Sequence, residues 1–499
     1  MSYFKYNPTM KQIFLFIALL FVSTIGISQT VSDAIRYSSL QPGGSARFLG
    51  AGGAFGALGA DYGVLSTNPA GLAMFRTNEL VITPGLRFTN TIAQMPGASN
   101  LDWEDSKSNF AFDNVGMVFN SNPRASHWST VNFGIGFNRQ QNFHQSIYYE
   151  GTDAGSIMND WFAEADQVFA SGGDESSLYP FGARMAYDAS AIYFQDGELS
   201  YDFINSPNAA VERTHSVITT GGINEMVFSL AGNYDEKLMV GATVGVPFIN
   251  YRLDAVYEET DPADNVEYFN NLSYTDYLRT QGVGVNFKMG VIYRMSQMVR
   301  LGASFHSPTL MGLTDRFSNT LSYSYTDGTG TVFNEASSPE GTSDYRLRTP
   351  WRATGSAAFI IGKLGFISAD AELVDYSANK FNFTANVNSS ENERFERELN
   401  SEIQRNLGQA VNIRIGGELA LDVFRIRAGM NLLGKPVEGE SGFNTAYTAG
   451  VGVRGQSFYL DLGYRLALRD GSVSPYSSAT AASLDNKYND ILMTIGFKF

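Results

Sequence analysis

The chain ends on Ile491-Leu492-Met493-Thr494-Ile495-Gly496-Phe497-Lys498-Phe499, in which apolar side chains alternate with small or polar ones and the last residue is aromatic. A period of two with one greasy face describes a strand that meets lipid or a core on one side only. With that strand at 488 to 499, thirteen others are read at 79 to 91, 112 to 120, 128 to 140, 214 to 232, 237 to 252, 280 to 295, 298 to 310, 346 to 361, 364 to 377, 408 to 420, 423 to 433, 443 to 454 and 457 to 468. The connections alternate in length. Tight turns such as Asn233-Tyr234-Asp235-Glu236, Ser296-Gln297 and Gly455-Gln456 follow every second strand, and longer polar segments follow the others. Short turns on one rim and long loops on the other are expected of a membrane-spanning barrel.

Individual strands carry the matching faces. Val283, Val285, Phe287, Met289, Val291 and Tyr293 share one side of their strand, while Gly284, Asn286, Lys288, Gly290 and Arg294 lie mainly on the other. Phe424, Ile426, Ala428 and Met430 oppose Arg425, Arg427, Gly429 and Asn431 in the same way, as Phe458, Leu460, Leu462, Tyr464 and Leu466 oppose Tyr459, Asp461, Gly463 and Arg465. A soluble sandwich also alternates. An export signal, fourteen strands and an aromatic terminus together favour the barrel.

The signal is at the other end. Lys5 and Lys11 precede an apolar run from Ile13 to Val22 that fades into Ser23, Gly26 and Ser28. This is the pattern of a secretory signal peptide, too short to cross about 30 Å of hydrocarbon as a helix. Cleavage after Ser28 would leave Gln29 first. With no cysteine anywhere, lipid anchoring at a cysteine, disulfides and thiolate chemistry are excluded. The 50 Gly, 36 Phe and 26 Tyr suit close strand packing and interfacial aromatics, and the net charge of -15 argues against nucleic acid as a partner. The acid is placed mainly in connections such as Glu259 to Asp264 and Glu391 to Glu402.

Residues 38 to 75 lack strand alternation. They run through Ser45-Ala46-Arg47, Gly50, Gly52-Gly53-Ala54-Phe55 and Asn68-Pro69-Ala70-Gly71-Leu72. Short helices are expected at about 54 to 60 and 69 to 74, the second started by Asn68 as N-cap with Pro69 at the first helical position. These motifs resemble the N-terminal hatch of the outer-membrane long-chain fatty acid and hydrophobic-compound transporters, a family that includes aromatic-hydrocarbon uptake channels. The stretch Gly284 to Pro308, with Tyr293-Arg294, Arg300-Leu301-Gly302 and Ser307-Pro308, is similar to that family's middle strands.

The resemblance implies an all-β membrane protein: a 14-stranded antiparallel transmembrane β-barrel over 79 to 499, a small helical hatch inside its lumen over 29 to 78, and a leader over 1 to 28. It implies a monomer in a Gram-negative-type outer membrane, no cofactor, and passive transfer of a hydrophobic small molecule with lateral release when the hatch shifts. The ligand could be a fatty acid, an aromatic compound or a haem. Gating falls by resemblance to Asn68, Pro69 and Ala70 with Gly52, Gly53 and Phe55. The Asn68 turn would lie beside a wall opening that a kink at Gly134 and Gly136 could provide. The alternative is that this turn only separates two hatch helices.

Further expectations concern the long connection from 141 to 213. Ile157 to Ala165 could form an amphipathic helix offering Trp161, Phe162 and Phe169 to a greasy ligand, or using them to pack the loop onto the barrel mouth. Lys288, Arg294, Arg300, Arg414, Arg425, Arg427 and Arg465 should face the lumen near Asp370, Glu372, Glu418 and Asp461. They could bind a carboxylate, or neutralise the acids and anchor the hatch. Catalysis is not expected. Neighbouring strand residues His306 and Ser307 point to opposite faces, and no metal-ligand spacing or phosphate-cradling motif is present. Two other classes remain: an outer-membrane shuttle of a secretion system that binds protein cargo, and an open diffusion porin, which a plugged N-terminus disfavours.

Overall fold

Alternation along the strands leaves one side of each greasy and the other polar, and a single sheet can hide its edges only by closing on itself. The computed structural model of the chain shows this closure; it describes residues 29–41, 43–96, 102–124, 126–383 and 390–499, so the leader read at 1 to 28 lies outside it. Strands β1 (Glu79–Gln94), β2 (Trp103–Ser121), β3 (Trp128–Asn142, resuming over Gln145–Ala154), β4 (Ala210–Tyr234), β5 (Leu238–Thr260), β6 (Phe269–Arg294) and β7 (Val299–His306 with Leu310–Asp327) form half of the wall. The other half is β8 (Gly341–Arg348 with Arg352–Ile361), β9 (Gly365–Asp375), β10 (Gln409–Leu421), β11 (Phe424–Gly434), β12 (Phe443–Arg454), β13 (Phe458–Val473) and β14 (Ala482–Lys498). The last strand pairs antiparallel with the first, from Glu79 opposite Lys498 to Gln94 opposite Ser483, so the barrel has fourteen strands.

The outer face is that of a membrane protein. Val283, Phe287, Met289 and Tyr293 of β6 are 48%, 41%, 47% and 48% exposed, and outward residues of β10 to β14 such as Leu419, Ile426, Val451 and Leu462 are similarly bare. Each such side chain would gain about 1.5–3 kcal/mol on leaving water, which a bilayer provides. At the short-turn rim His127 stacks on Tyr234 and Trp128 meets the same ring edge-on, a cluster of interfacial aromatics. No helix among the described residues is long and apolar enough to cross a membrane.

Several strands exceed their expected ranges. β2 begins at Trp103, and β4, β5 and β6 run for 25, 23 and 26 residues, where about 9–11 suffice to span a bilayer. Their loop-side halves stand beyond the hydrocarbon, where neither face must be apolar. The long connection also differs from expectation, since residues 145–154 continue β3 beside β4. Helix α3 (Ile157–Ala170) follows, in the place expected but longer. Glu259 is not an exposed loop acid: fully buried, it accepts from the Ile157 N–H at 2.9 Å and from Ser156, fixing the start of α3.

The hatch comprises α1 (Val31–Ser38), α2 (Ala46–Gly50) and 3-10 turns over Tyr62–Ser66 and Pro69–Met74. Asn68 caps the last of these by accepting from the Ala70 N–H at 3.2 Å, as expected. No helix forms at 54 to 60. Gly59 and Ala60 have φ of 69° and 54°, left-handed values that end any right-handed turn there. The earlier Gly52 and Gly53, with φ of 67° and 70°, reverse the chain where α2 ends.

Candidate functional site

While α1 lies on the loop side, with Tyr37 against Phe143 and Tyr251, from α2 onward the hatch fills the short-turn half of the lumen. Phe48, Phe55, Leu58, Tyr62, Leu65 and Leu72 form its buried core with Val118, Val227 and Ile292 from the wall. Phe55 stacks on Phe48 at 5.4 Å and meets Phe366 edge-on at 5.8 Å. Wall glycines let hatch backbone come into contact: a methyl group at Gly241 would overlap the Pro69 carbonyl, one at Gly290 would overlap Asn68 Oδ1, and one at Gly416 would overlap the Ala51 carbonyl.

Polar wall groups answer the hatch backbone all the way round, which matters because a buried carbonyl without a donor costs about 1–3 kcal/mol. Thr243 donates to the Leu65 carbonyl at 3.0 Å, His306 Nε2 to Thr67 at 2.6 Å, Asn132 to Leu72 at 2.7 Å and Arg300 to Leu58 at 3.1 Å. Asp370 accepts from the Gly56 N–H at 3.1 Å. The lumen charges neutralise one another: Arg427 reaches Glu418 at 2.6 Å and Asp461 at 2.8 Å, Arg414 reaches Glu372 at 3.4 Å, Arg425 lies 4.0 Å from Glu418, and Lys288 pairs with Glu225. Arg294 instead meets Glu236 at the rim and Arg465 meets Asp490. Anchoring and neutralisation thus account for most of the residues in question. Among the described residues no cluster of side chains is arranged to hold a metal.

The wall is interrupted at one place. β2 and β3 pair only from Ser121 opposite Val131 up to Asn114 opposite Asn138. Above this, residues 103–113 of β2 have β1 as their one ladder partner, because β3 leaves the wall. Its register with β4 slips between Arg139 and Gln141, and the chain then passes inside: Thr89 on the lumen face of β1 donates to the His144 carbonyl at 3.0 Å, and Gln145 donates to Asn486 at 2.7 Å. Pro84 offers no N–H to β2, and a bulge at this level turns Asp113 inward, where it pairs with Arg87. The exposed Phe110 and Phe112 flank the unpaired edge on the outer side, and toward the loops side chains cross it, Ser146 donating to Asp105 at 2.6 Å and Trp103 meeting Tyr148 edge-on at 5.4 Å.

Gly134 and Gly136 do not form the bend. Both stay in the regular ladder, opposite Val118 and Gly116, and the departure begins at Arg139. Their role is space: Gly134 faces Leu65 and Leu72, while Gly116 and Gly136 clasp the Tyr62 ring. Asn68, Pro69 and Ala70 pack against β5 and β6, with Asn68 Nδ2 donating to the Gly56 carbonyl at 2.6 Å and lying 3.3 Å from the Val291 carbonyl. The hatch residues at the foot of the interruption are Tyr62 and Ser66. Ser66 accepts from Asn138 at 2.8 Å and donates to Glu225 at 3.0 Å, and Glu225 also accepts from Gln140 within the slipped segment at 3.1 Å. Sequence reasoning missed Tyr62, Ser66, Gln140 and Glu225, because their importance depends on strand register.

Above the hatch lies a cavity of about 340 Å³, bordered by Arg139, Gln141, Asn142, Phe143, His144 and Gln145 of the departing strand. The loops roof the barrel. Trp161 is 9% exposed and meets Tyr274 edge-on at 5.2 Å, Phe162 stacks on Tyr201 at 4.2 Å, and Phe169 meets Phe194 at 5.2 Å. These three aromatics therefore pack the lid together.

No protein-family model matches the chain, and no curated protein matches it. Among solved structures it is similar to a Pseudomonas aeruginosa FadL homologue, at 12% identity over 92% of this chain and 99% of that one, with a TM-score of 0.55. It is also similar to the Pseudomonas putida toluene transporter TodX, at 13% identity over the same shares and a TM-score of 0.50. At such identities the likeness is one of fold: a closed fourteen-stranded barrel.

Proposed function

We propose that this chain is a monomeric outer-membrane transport protein that passes hydrophobic compounds, fatty acids or similar molecules, from the cell exterior through the cavity and out sideways past the free edge of β2. The observation that carries the reading is a shared border: Arg139, Gln141, Asn142, Phe143, His144 and Gln145 line the cavity and belong to the segment by which β3 leaves the wall. A straight route is filled by the hatch, and an aqueous exit would cost an apolar ligand about 0.8 kcal/mol per CH₂. Two solved structures of like fold are of a FadL homologue and a toluene transporter, which agrees with this class of ligand. A cavity of this size suits a small molecule, and the protein-cargo alternative finds no support in it.

In this proposal the hatch gates the path. Tyr62 and Ser66 sit at the foot of the exit, and Asn68-Pro69-Ala70 brace the same segment against β5 and β6. The reading is tested by uptake of a radiolabelled long-chain fatty acid and a radiolabelled hydrocarbon into cells that lack other such transporters. A Val473→Cys variant, whose thiol stands on the lumen face of β13 among the residues lining the cavity, is assayed before and after a bulky maleimide. The proposal expects uptake that the adduct abolishes. Uptake of neither compound by a folded, heat-modifiable barrel would reject it.

A further inference from the structure

The cavity carries more positive charge than its neighbourhood neutralises. Arg36, Arg87, Arg139, Arg465 and Arg469 all line it, whereas Asp490 is the one acid among the lining residues. Arg87 also pairs with Asp113, and Arg36 with Asp33. Three carboxylates against five guanidinium groups leave two positive charges, in a chain whose net charge is -15. The surplus has an address: among the described residues neither Arg139 nor Arg469 has a carboxylate within 4.0 Å. Arg139 instead donates to Asn142 at 3.0 Å and to the Gly221 carbonyl at 3.2 Å, and Arg469 lies over the Tyr488 ring at 5.1 Å.

The donors are also incompletely used. Arg87 and Arg139 are 6% and 8% exposed, yet Arg87 Nη1 and Arg139 Nε have no hydrogen-bond acceptor. Burying unpaired cationic donors is costly, and a site that tolerates this is poised for an anion. The opposite end of the cavity is apolar. Along β13 the lining passes from Arg465 and Arg469 to Val473 on the loop side, and on β14 Leu484 stands loop-side of Asp490. Ile147, Val217 and Leu253 complete the greasy end.

We infer that the cavity is a site for a dianionic amphiphile, a hydrocarbon chain bearing a phosphate monoester or a dicarboxylate, with its head between Arg139 and Arg469 and its tail toward the loops. This rests on the transport reading and narrows its ligand. Two surplus charges match a head of charge near -2, which a phosphate monoester approaches at neutral pH. A monocarboxylate leaves one guanidinium unanswered, and a neutral hydrocarbon leaves both.

The test is calorimetric titration of the full barrel in nanodiscs with dodecyl phosphate, dodecylsuccinate, dodecanoate and dodecanol at one ionic strength. The dianions should bind about tenfold or more tightly than the other two, and Arg469→Gln and Arg139→Gln should each remove about tenfold of that preference. Arg469→Gln leaves the bend of β3 untouched, so its loss of preference cannot come from a displaced strand. Preference for only one dianion supports the site and identifies the head group. Equal binding of dodecanol and dodecyl phosphate, or a preference unchanged in both variants, overturns the inference and leaves the transport reading standing. Binding of none of the four probes overturns it too; whether the transport reading fails with it is read separately, from uptake of the neutral hydrocarbon.

Discussion

Thr89 on β1 donates to the carbonyl of His144, a residue of the third strand's path, at 3.0 Å, although β2 lies between β1 and β3 in the wall. The contact exists because β3 has turned inside the barrel, and it marks where the sheet ceases to be continuous. Thr89→Val keeps the shape of the side chain and removes the donor, at a cost of about 1 kcal/mol. Hydrogen exchange should quicken in residues 143–147 while β10 to β13 stay protected.

Contact between hatch and wall backbone depends on missing side chains. Gly290→Ala places a methyl group against Asn68 Oδ1, so the hatch must shift and the barrel should conduct ions more readily in a planar bilayer. Gly355→Ala, where nothing lies within 4 Å, should leave conductance unchanged. Both variants should remain heat-modifiable.

The lid contains a titrating carboxyl. Burial raises Glu164 to about 7, partly opposed by the backbone N–H groups of Tyr179 and Ala183. Its ordinary value is 4.5, so between about pH 4.5 and 7 the folded lid holds a proton that the unfolded lid has lost. Lid stability therefore falls as pH rises through that window and levels off above it, by about 2 kcal/mol after discounting for partial exposure. Protease cleavage within 157–188 should quicken over this range, and Glu164→Gln should flatten the dependence.

Packing and capture make different demands on the lid aromatics. Phe162→Ala removes the stack on Tyr201, and Phe169→Ala the contact with Phe194. Packing alone predicts faster exchange in α3 with ligand affinity unchanged by calorimetry. Weaker ligand binding with unchanged exchange would return these residues to a capture role.

What could be read from the chain followed the solvent. Along Val283 to Tyr293, and in β11 and β13, lipid on one side imposes a period of two, so strand and facing were legible. The Asn68 cap was legible because Asn followed by Pro is a local signal. The loop-side half of β2, Glu104 to Asn109, is polar on both faces and carries no period, so it read as a connection. Arg139-Gln140-Gln141-Asn142 conceals the departure of β3 for the same reason. Tyr62 acquires meaning only from Gly116 and Gly136, which strand pairing brings together from different parts of the chain.

Lateral exit is tested most directly at Asn109, on the lumen side of the free stretch of β2, in a chain with no native cysteine. The measurement is uptake of a radiolabelled hydrophobic compound by cells carrying Asn109→Cys, before and after reaction with a bulky maleimide. Passage through the wall predicts normal uptake before labelling and a fall to background after it. Undiminished uptake through the labelled barrel would contradict a sideways route.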